Sequence, residues 1–505
     1  MAKPVMIQGT CSNAGKSLVT AGLCRVFLED GFTVAPFKAQ NMALNSFVTD
    51  ESLEMGRAQV TQALACRKTP DVRMNPVLLK PSSDTGSQVI VNGKAIGTMD
   101  FTNYMSYKKK LKIIIRQAYR SLASENDIIV IEGAGSPAEI NLKKYDIVNM
   151  HTAKLAKAPV LIVGDIDRGG VFASFIGTLS LFTDAERDMT KGFIINKFRG
   201  EISLLESGIK LLERKTRKKV FGVMPMLTDL DLPEEDSVEF KKNIRKYAYN
   251  KSAAINIALI DLPHISNFTD YDALKAEKDV NLYTVREEGR MGDPDIIIIP
   301  GSKNVIRDAE HLHANGFYNA VTELAEKGRV VIGICGGFQV LGREIHDPYS
   351  IESKRKKING IGLLDLTTRI EKEKTLTQVE ARMNGTGITV RGYEIHHGNT
   401  KMNEKAFFTV QRKRILGCIS KKGNIWGTYI HGVFDSDEFR AWLLEGVRKK
   451  KGLRPVQRHA YDIEPGMQKL AASVREHIDM PALYKIMGIR YKGTGYSSAH
   501  GGKNI

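Results

Sequence analysis

Gly9-Thr10-Cys11-Ser12-Asn13-Ala14-Gly15-Lys16-Ser17 joins a short apolar segment, Val5–Gln8, to an amphipathic stretch, Leu18–Leu28. A strand followed by a glycine-rich loop and a helix presents backbone N–H groups to phosphate oxygens at the N-terminus of the helix. We expect the Lys16 ammonium to reach the terminal phosphates of a nucleotide and the Ser17 hydroxyl to bind Mg²⁺. The stretch therefore predicts a phosphate-binding loop at the edge of an α/β sheet.

The spacing of this loop departs from the common G-x-x-x-x-G-K-[ST] pattern. Thr10 occupies the position of the first glycine, and Gly9 lies one residue earlier. A glycine-rich turn without a ligand is the alternative, but the flanking strand and helix and the Gly-Lys-Ser ending favour phosphate binding. The predicted ATP-binding residues of the loop are Thr10, Asn13, Ala14, Gly15, Lys16 and Ser17.

The first half of the chain alternates apolar runs with helical patterns. The apolar runs are Val5–Gln8, Thr33–Phe37, Ile128–Glu132, Val160–Asp165, Phe193–Asn196 and Val220–Val223. Near-continuous apolar strands separated by helices are typical of a parallel sheet that helices cover on both faces. The predicted fold class of this half is therefore α/β, with a doubly wound parallel sheet.

Charged residues follow several of these strands, at the sheet edge where doubly wound folds bind ligands. Glu132 ends one strand and is a candidate Mg²⁺ ligand, because few charged residues end a buried strand without a role. Lys38 follows a second strand and can offset the charge of a transferring phosphoryl group. Asp165, Asp167 and Arg168 follow a third. These carboxylates fit either a ligand site or a helix N-cap.

The composition of the chain changes between residues 227 and 253, where acidic and then basic residues leave little to form a core. This segment predicts a linker between an ATP-binding domain, residues 1–226, and a second α/β domain, residues 254–450. An extension, residues 451–505, follows. Its last part, Tyr491–Ile505, is rich in Gly, Ser and Lys and predicts a mobile tail.

The second domain contains a cysteine on a predicted strand-to-helix turn. Cys335 lies in Gly333-Ile334-Cys335-Gly336-Gly337-Phe338-Gln339, and a helix N-terminus favours its thiolate form. His431, after a short apolar strand, is the candidate base. A Cys–His pair can cleave an amide through a thioester when oxyanion donors are present. The N–H groups of Gly336 and of the turn around Gly301 are the candidate donors. Alone, either Cys335 or His431 would be more typical of a buried core residue than of a catalytic one.

Composition limits the other possibilities. With 505 residues the chain is long enough for two or more domains, and no apolar run approaches the roughly 18 residues of a membrane helix. The five cysteines are scattered and contain no Cys-x-x-Cys pair. This pattern predicts free thiols, a cytoplasmic location and no structural metal. The net charge of +17 is dispersed and accompanies no nucleic-acid motif, so it indicates small polyanionic substrates rather than nucleic acid.

Longer strings resemble known families. The Cys335 and His431 segments resemble those of triad-class glutamine amidotransferases, except that Gly432 and Val433 stand where the common His-Pro-Glu pattern has its last two residues. The phosphate loop resembles that of dethiobiotin synthetase. The strings that resemble the cobyric acid synthase family are Ala39–Ser46, Met55–Gln59, Asn75–Lys80, Glu132–Asn141, Asp165–Phe172, Asn196–Gly200 and Gly392–His396.

The resemblance implies a glutamine-hydrolysing amidoligase that uses ATP and Mg²⁺ and holds no tightly bound organic cofactor. It implies that ammonia released at Cys335 amidates the b, d, e and g carboxylates of a corrinoid, adenosylcobyrinic acid a,c-diamide. The residues implied to bind glutamine or its oxyanion are Gly301, Gly336, Gln339, Tyr393 and Glu394. Those implied to lie near the corrinoid are Asp146, Asp165, Asp167 and Arg168.

Two alternatives remain open from the sequence. A cobyrinic acid a,c-diamide synthase performs the same chemistry on other carboxylates of the corrinoid. A partitioning-type P-loop ATPase usually carries a second lysine early in the loop, and Thr10, Cys11 and Ser12 offer none. The sequence identifies neither the residue that orients His431 nor the oligomeric state.

Overall fold

The computed structural model describes residues 2–81, 86–228, 230–233, 247–411, 414–457 and 460–490. The predicted mobile tail, Tyr491–Ile505, lies outside the described residues, as does the middle of the predicted linker. The domain boundaries therefore stay predictions.

Within the described residues, six parallel strands form the central sheet of the N-terminal half. Their order across the sheet is Lys219–Pro225, Thr190–Phe198, Val160–Asp165, Lys3–Gly9, Ile128–Glu132 and Val34–Phe37. Neighbouring strands pair in parallel throughout. The prediction of a doubly wound parallel sheet is confirmed, and the phosphate loop follows a strand in the interior of this sheet.

Both faces of the sheet are buried, because side chains alternate between the faces along each strand. Val5 and Ile7 belong to one apolar cluster, whereas Met6 belongs to the cluster on the opposite face. The helices of this half are Lys16–Glu29, Arg57–Ala65, Phe101–Glu125, Met150–Ala156, Val171–Ser180, Asp184–Met189 and Glu206–Thr216.

Two small sheets follow the strand Val34–Phe37, and the sequence did not predict them. One contains Gln40–Met42, Val77–Pro81, Gly86–Val91 and Lys94–Asp100, and the other is the hairpin of Ser46–Val48 with Glu54–Gly56. Such short strands give too few residues for a clear alternation of apolar and polar side chains. They place the segment around Asn45 beside the second half of the chain.

In the described part of the C-terminal half, eleven strands form a mixed sheet. The parallel part has the order Val280–Val285, Ile255–Ile260, Ile296–Ile299, Val330–Ile334 and Ile425–Thr428. The sheet continues with Arg414–Ile419, Lys405–Val410, Leu366–Met383, Thr389–Met402, Glu344–His346 and Lys357–Asn359. The prediction of a second α/β domain is confirmed, but its long antiparallel hairpin was not predicted.

The helices of the second half are Asp272–Lys275, Val305–Ala314, Phe317–Glu326, Gly336–Val340 and Asp437–Lys450. Two further helices, Glu464–His477 and Met480–Ile486, return to the N-terminal half. Helix Glu464–His477 packs so closely on Lys16–Glu29 that a Cβ on Gly22 would lie 2.6 Å from Val474. The predicted C-terminal extension therefore covers one face of the first sheet.

Three charged side chains meet in the contact between the two halves. Glu54 is fully buried and pairs with Lys80 at 3.0 Å and with Lys374, from the second half, at 2.6 Å. Burial alone raises the pKa of the Glu54 carboxyl, but the charges of Lys374 and Lys80 hold this pKa well below its ordinary value. The buried pairing therefore ties the two halves together.

Replacing Glu54 with Gln is expected to destabilise the protein by about 3–5 kcal/mol, because two buried ammonium groups then lack their counter-charge. Since the folded-state pKa is depressed, the contribution of ionised Glu54 is present above the ordinary pKa of 4.5 and is lost as the pH falls below it. Denaturant midpoints at neutral and acidic pH measure both effects. The control Glu323→Gln, which removes an exposed pair with Lys327, should cost less than about 1 kcal/mol. Equal effects of the two substitutions would contradict the assignment.

Candidate active site

The predicted phosphate loop lies at the carboxyl end of the strand Lys3–Gly9. Gly15 has a φ of 95°, and a Cβ there would lie 2.0 Å from Asn196 Nδ2, so a side chain does not fit. Lys16 Nζ donates to the backbone oxygens of Cys11 at 2.9 Å and Gly135 at 3.2 Å. These two contacts hold the Lys16 ammonium at the loop, and its contact with the terminal phosphates of a nucleotide stays a prediction.

Glu132 is the centre of a buried polar cluster beside the loop. Its carboxylate accepts hydrogen bonds from Ser17 Oγ at 2.8 Å, Lys38 Nζ at 2.7 Å and Gln62 Nε2 at 2.6 Å. The structure thus brings together Ser17, Lys38 and Glu132, which the sequence predicted at one edge of the sheet. Gln62, on helix Arg57–Ala65, was not predicted, because nothing in its helical pattern distinguishes it.

Asp165, Asp167 and Arg168 lie at the same sheet edge. Asp165 Oδ1 accepts from the Asp167 N–H at 3.0 Å, and its Oδ2 pairs with Lys197 at 3.2 Å and Arg168 at 3.4 Å. Lys197 Nζ also donates to the backbone oxygen of Asn13 at 2.8 Å. Asp165 therefore holds a second lysine against the phosphate loop, and a role of these residues in binding the corrinoid stays a prediction.

A cavity of about 1250 Å³ opens beside the loop. Lys16, Lys38, Glu132 and Asp165 lie in its wall, together with the apolar side chain of Met42. Further lysines of the wall are Lys108, Lys112, Lys143, Lys144, Lys154, Lys197 and Lys275. The wall thus combines phosphate-binding side chains, an apolar surface and a surplus of cations.

Asp146, predicted near the corrinoid, also lines the cavity. Its Oδ1 accepts from the N–H groups of Val148 at 2.9 Å and Asn149 at 2.8 Å, and its Oδ2 accepts from that of His151 at 2.9 Å. Its carboxylate is therefore engaged by the backbone of its own loop, and these contacts give it a part in shaping the cavity wall.

Cys335 occupies the predicted turn between Val330–Ile334 and the helix Gly336–Val340. Its φ of 50° is unusual for a residue with a Cβ and is typical of a strained nucleophile turn. A Cβ on Gly337 would lie 1.9 Å from the Ile299 oxygen, so the helix can approach the neighbouring strand only with glycine there. The fold therefore holds the thiol in a fixed place, where it is 6% exposed.

His431 pairs with a carboxylate that the sequence did not reveal. Asp270 Oδ2 lies 2.7 Å from His431 Nδ1, and Asp270 Oδ1 accepts from the Gly432 N–H at 2.9 Å. Burial by itself lowers the pKa of His431. The interactions with Asp270 and Cys335 outweigh this effect and raise the pKa to about 10. Asp270 therefore orients the His431 ring and leaves Nε2 of that ring without a hydrogen-bond partner among the described residues, so that Cys335, His431 and Asp270 form a candidate Cys–His–Asp triad.

The predicted oxyanion donors lie next to this triad. A Cβ on Gly301 would lie 3.2 Å from His431 Cε1, and a Cβ on Gly336 would lie 2.9 Å from the Ser302 nitrogen. The two glycine-containing turns therefore lie against each other beside His431, and their part in stabilising an oxyanion stays a prediction. The ring of Tyr393 stacks on His431 with centroids 5.3 Å apart.

Gln339 and Glu394, predicted to bind glutamine, differ in their surroundings. Gln339 lies on the helix after Cys335, and its buried Oε1 has no hydrogen-bond partner among the described residues. Glu394 is engaged by Arg414 at 2.6 and 3.1 Å and by His396 at 3.2 Å. Gln339 therefore has an unpaired acceptor, and a direct contact of Gln339 or Glu394 with glutamine stays a prediction.

Replacing Asp270 with Asn is expected to slow glutamine hydrolysis by about 10²–10⁴-fold, because the base loses the carboxylate that orients it. The pKa of His431 should fall, since an amide no longer stabilises the imidazolium. The thiolate of Cys335 then loses its counter-ion, and alkylation by iodoacetamide at pH 7 should slow about tenfold or more. The exposed Asp293→Asn serves as the control. Unchanged alkylation and hydrolysis in Asp270→Asn would contradict the triad.

A nucleotide-binding loop and a Cys–His–Asp triad, each on its own α/β sheet in one chain, define an ATP-dependent, glutamine-hydrolysing amidoligase. Comparisons with known proteins agree with this class. Residues 5–239 match the family model of the CobQ/CobB/MinD/ParA nucleotide binding domain. Residues 256–439 match that of the CobB/CobQ-like glutamine amidotransferase domain.

Similar proteins specify the family. Cobyric acid synthases of Nitratidesulfovibrio vulgaris and Clostridium botulinum are 47% and 48% identical over 97% of this chain, and they are covered over 98% and 100% of their own lengths. The adenosylcobalamin biosynthesis bifunctional protein CobDQ of Leptospira interrogans is 48% identical over 96% of this chain, which spans only 57% of that longer relative. The chain belongs to the cobyric acid synthase family.

Two features are absent from the described residues. No helix among them combines the length and the apolar character needed to cross a membrane. No group of three or more His, Cys, Asp or Glu side chains among them could hold a metal ion.

Proposed function

We propose that this chain converts adenosylcobyrinic acid a,c-diamide to adenosylcobyric acid by amidating the b, d, e and g carboxylates with ATP and glutamine. The observation that carries the proposal is the cavity beside the phosphate loop. Its wall holds more lysines and arginines than carboxylates, which suits a substrate with several negative charges. The apolar side chains of Met42 and Leu142 in the same wall suit a large ring.

The first step activates a carboxylate, which is itself a poor acceptor for ammonia. A carboxylate oxygen of the corrinoid attacks the γ-phosphorus of ATP, ADP leaves, and an acyl phosphate forms. Lys16 and Lys38 stabilise the charge on the transferring phosphoryl group. The oxygens of Ser17 and Glu132, 2.8 Å apart, fit Mg²⁺, which prefers oxygen ligands and is usually shared with substrate phosphates. When bound there, Mg²⁺ supplies further charge neutralisation.

The second step releases ammonia from glutamine. The Cys335 thiolate attacks the amide carbon, and N–H groups of the Gly336 and Gly301 turns stabilise the oxyanion. His431 gives its proton to the leaving nitrogen, so ammonia departs and a thioester remains. His431 then takes a proton from water, the resulting hydroxide attacks the thioester carbon, and the carbon–sulfur bond breaks to give glutamate and restore the Cys335 thiolate. Asp270 keeps the ring in its working orientation throughout.

The third step joins the two sites. Ammonia attacks the acyl carbon, the carbon–oxygen bond to the phosphate breaks, and the corrinoid amide and inorganic phosphate form. This transfer must exclude water, because water hydrolyses the acyl phosphate back to the carboxylate. The buried contact between the halves, where Phe47 packs on Tyr393 beside His431, supports a protected route between them.

The alternatives fit the observations less well. A partitioning-type ATPase needs no glutamine-hydrolysing triad, and this chain builds one from Cys335, His431 and Asp270. The a,c-diamide synthase shares the chemistry, but the similar proteins of matching length are cobyric acid synthases. We place the reaction in the cytoplasm, since all five cysteines are free thiols.

Product analysis separates these functions. The protein is incubated with ATP, glutamine and either cobyrinic acid or its adenosylated a,c-diamide, and the products are identified by mass spectrometry. Amidation of the a,c-diamide at b, d, e and g is expected. Amidation of cobyrinic acid only at a and c, or ATP hydrolysis without any amide, would contradict the proposal.

A further inference from the structure

A short segment of the N-terminal half lies between the cavity and the triad. Residues Gln40–Asn45 line the cavity that we assign to the corrinoid. The next residues, Ser46 and Phe47, begin the hairpin that contacts the second half. The same strip of backbone therefore reaches from the acceptor site to the amidotransferase site.

Two reciprocal hydrogen bonds join this segment to a turn of the second half. Asn45 Oδ1 accepts from the Phe268 N–H at 3.2 Å, and Asn267 Oδ1 accepts from the Ser46 N–H at 3.1 Å. Both asparagines are only 2% exposed, so water does not compete for these bonds. We call Asn45, Ser46 and Asn267 the interdomain clasp.

The clasped turn carries the carboxylate of the triad. Asn267, with a φ of 52°, starts the short 3₁₀ helix Phe268–Tyr271, which contains Asp270. Asp270 in turn holds both His431 and the Gly432 N–H. Any displacement of the turn therefore moves the group that orients the base.

A second contact connects the clasp with the imidazole itself. Tyr393 Oη donates to the Ser46 backbone oxygen at 3.1 Å, and the Tyr393 ring packs against Phe47 with centroids 5.2 Å apart. The Tyr393 ring also stacks on the imidazole of His431. Lys80 Nζ donates a hydrogen bond to Ser46 Oγ at 2.8 Å. The segment is therefore also bound to the N-terminal half, from which it comes.

We propose that the interdomain clasp transmits occupancy of the acceptor cavity to the triad. ATP and the corrinoid restrain Gln40–Asn45, and the clasp then fixes Asp270 where it orients His431. Glutamine is thus hydrolysed fastest when an activated carboxylate is ready to take the ammonia. Asn45 and Asn267 act here as positioning residues. The inference rests on the proposed function for the identity of the ligands in the cavity.

Asn267→Gly tests the clasp, because glycine accepts the positive φ and lacks the side chain whose oxygen accepts the Ser46 N–H. Glutamine hydrolysis is measured with and without ATP and adenosylcobyrinic acid a,c-diamide, beside amidation driven by ammonium salt. We expect stimulation of glutamine hydrolysis by these ligands to fall about tenfold or more, as for other site-to-site couplings. The loss should appear in kcat rather than in KM for glutamine, and ammonia-driven amidation should stay close to that of the unmodified protein.

A matched variant and a second clasp variant complete the experiment. Thr49→Val removes the hydrogen bond that Thr49 Oγ1 accepts from the Leu53 N–H in the same hairpin. It should leave the stimulation of glutamine hydrolysis by the cavity ligands intact. Asn45→Ala should reproduce the loss of stimulation from the other side of the clasp. Full stimulation in Asn267→Gly, or equal losses with glutamine and ammonia, would overturn the inference. Absence of ammonia-driven amidation in the unmodified protein would instead overturn the proposed function.

Discussion

Replacing Cys335 with Ser is expected to abolish glutamine-dependent amidation while leaving ammonia-dependent amidation intact. The hydroxyl is a far weaker nucleophile than the thiolate that His431 stabilises, so glutamine hydrolysis should fall by more than about 10³-fold. The phosphate loop and the acceptor cavity lie on the other sheet and are unchanged. The measurement is the rate of corrinoid amide formation with glutamine and, separately, with ammonium salt at a pH that supplies free ammonia.

A second buried cysteine of the same half provides the control. Cys418 lies on the strand Arg414–Ile419, where burial raises the pKa of its thiol to about 12, and it has no place in the proposed mechanism. Cys418→Ser should therefore amidate with either nitrogen source at rates close to those of the unmodified protein. A Cys335→Ser protein that still used glutamine fully would contradict the assignment of the nucleophile.

Replacing Lys16 with Ala is expected to remove amidation with both nitrogen sources. Lys16 stabilises the transferring phosphoryl group, and loss of one such charge typically costs about 10²–10³-fold in rate. Binding of glutamine at the triad does not involve Lys16, so slow glutamine hydrolysis should survive without product. Formation of ADP and of the corrinoid amide measures the loss.

The exposed Lys109, on helix Phe101–Glu125, offers a matched lysine outside the cavity wall. Lys109→Ala should amidate normally. If Lys16→Ala lost glutamine-dependent but not ammonia-dependent amidation, the assignment of Lys16 to phosphoryl transfer would be contradicted. The opposite selectivities of Cys335→Ser and Lys16→Ala together separate the two sites.

Local patterns allowed the sequence to predict much of this architecture. The parallel strands are buried on both faces, so runs such as Ile128–Glu132 are continuous and easily recognised. Residues at the carboxyl ends of parallel strands meet at one edge, which is why Ser17, Lys38 and Glu132 could be predicted as one site although the chain separates them widely. The nucleophile turn at Cys335 likewise depends only on neighbouring residues.

Features that depend on distant contacts could not be predicted. Asp270 lies 161 residues before His431 and on a short 3₁₀ helix, where a lone aspartate has no periodic or motif signal. Its role exists only because the fold brings two loops together. The clasp between Asn45 and Asn267 is of the same kind, since each asparagine alone is typical of a turn.

The antiparallel hairpin of Leu366–Met383 with Thr389–Met402 was missed for a different reason. Its strands are largely half-buried and carry many charged residues, so the alternation of apolar and polar side chains is weak. The C-terminal helices were not anticipated as part of the first domain's core, because composition around residues 448–463 indicates only a basic connection. Tertiary packing, as at Gly22 and Val474, decides where these helices lie.

Isotope tracing tests most directly whether nitrogen released at Cys335 reaches the ATP-activated carboxylates. The protein is given ATP, adenosylcobyrinic acid a,c-diamide and glutamine labelled with ¹⁵N in its side-chain amide, in the presence of excess unlabelled ammonium at neutral pH. Mass spectrometry should find ¹⁵N at the new b, d, e and g amides with little dilution from the medium. Amides that carry mainly unlabelled nitrogen, or no amidation of this corrinoid, would contradict the account.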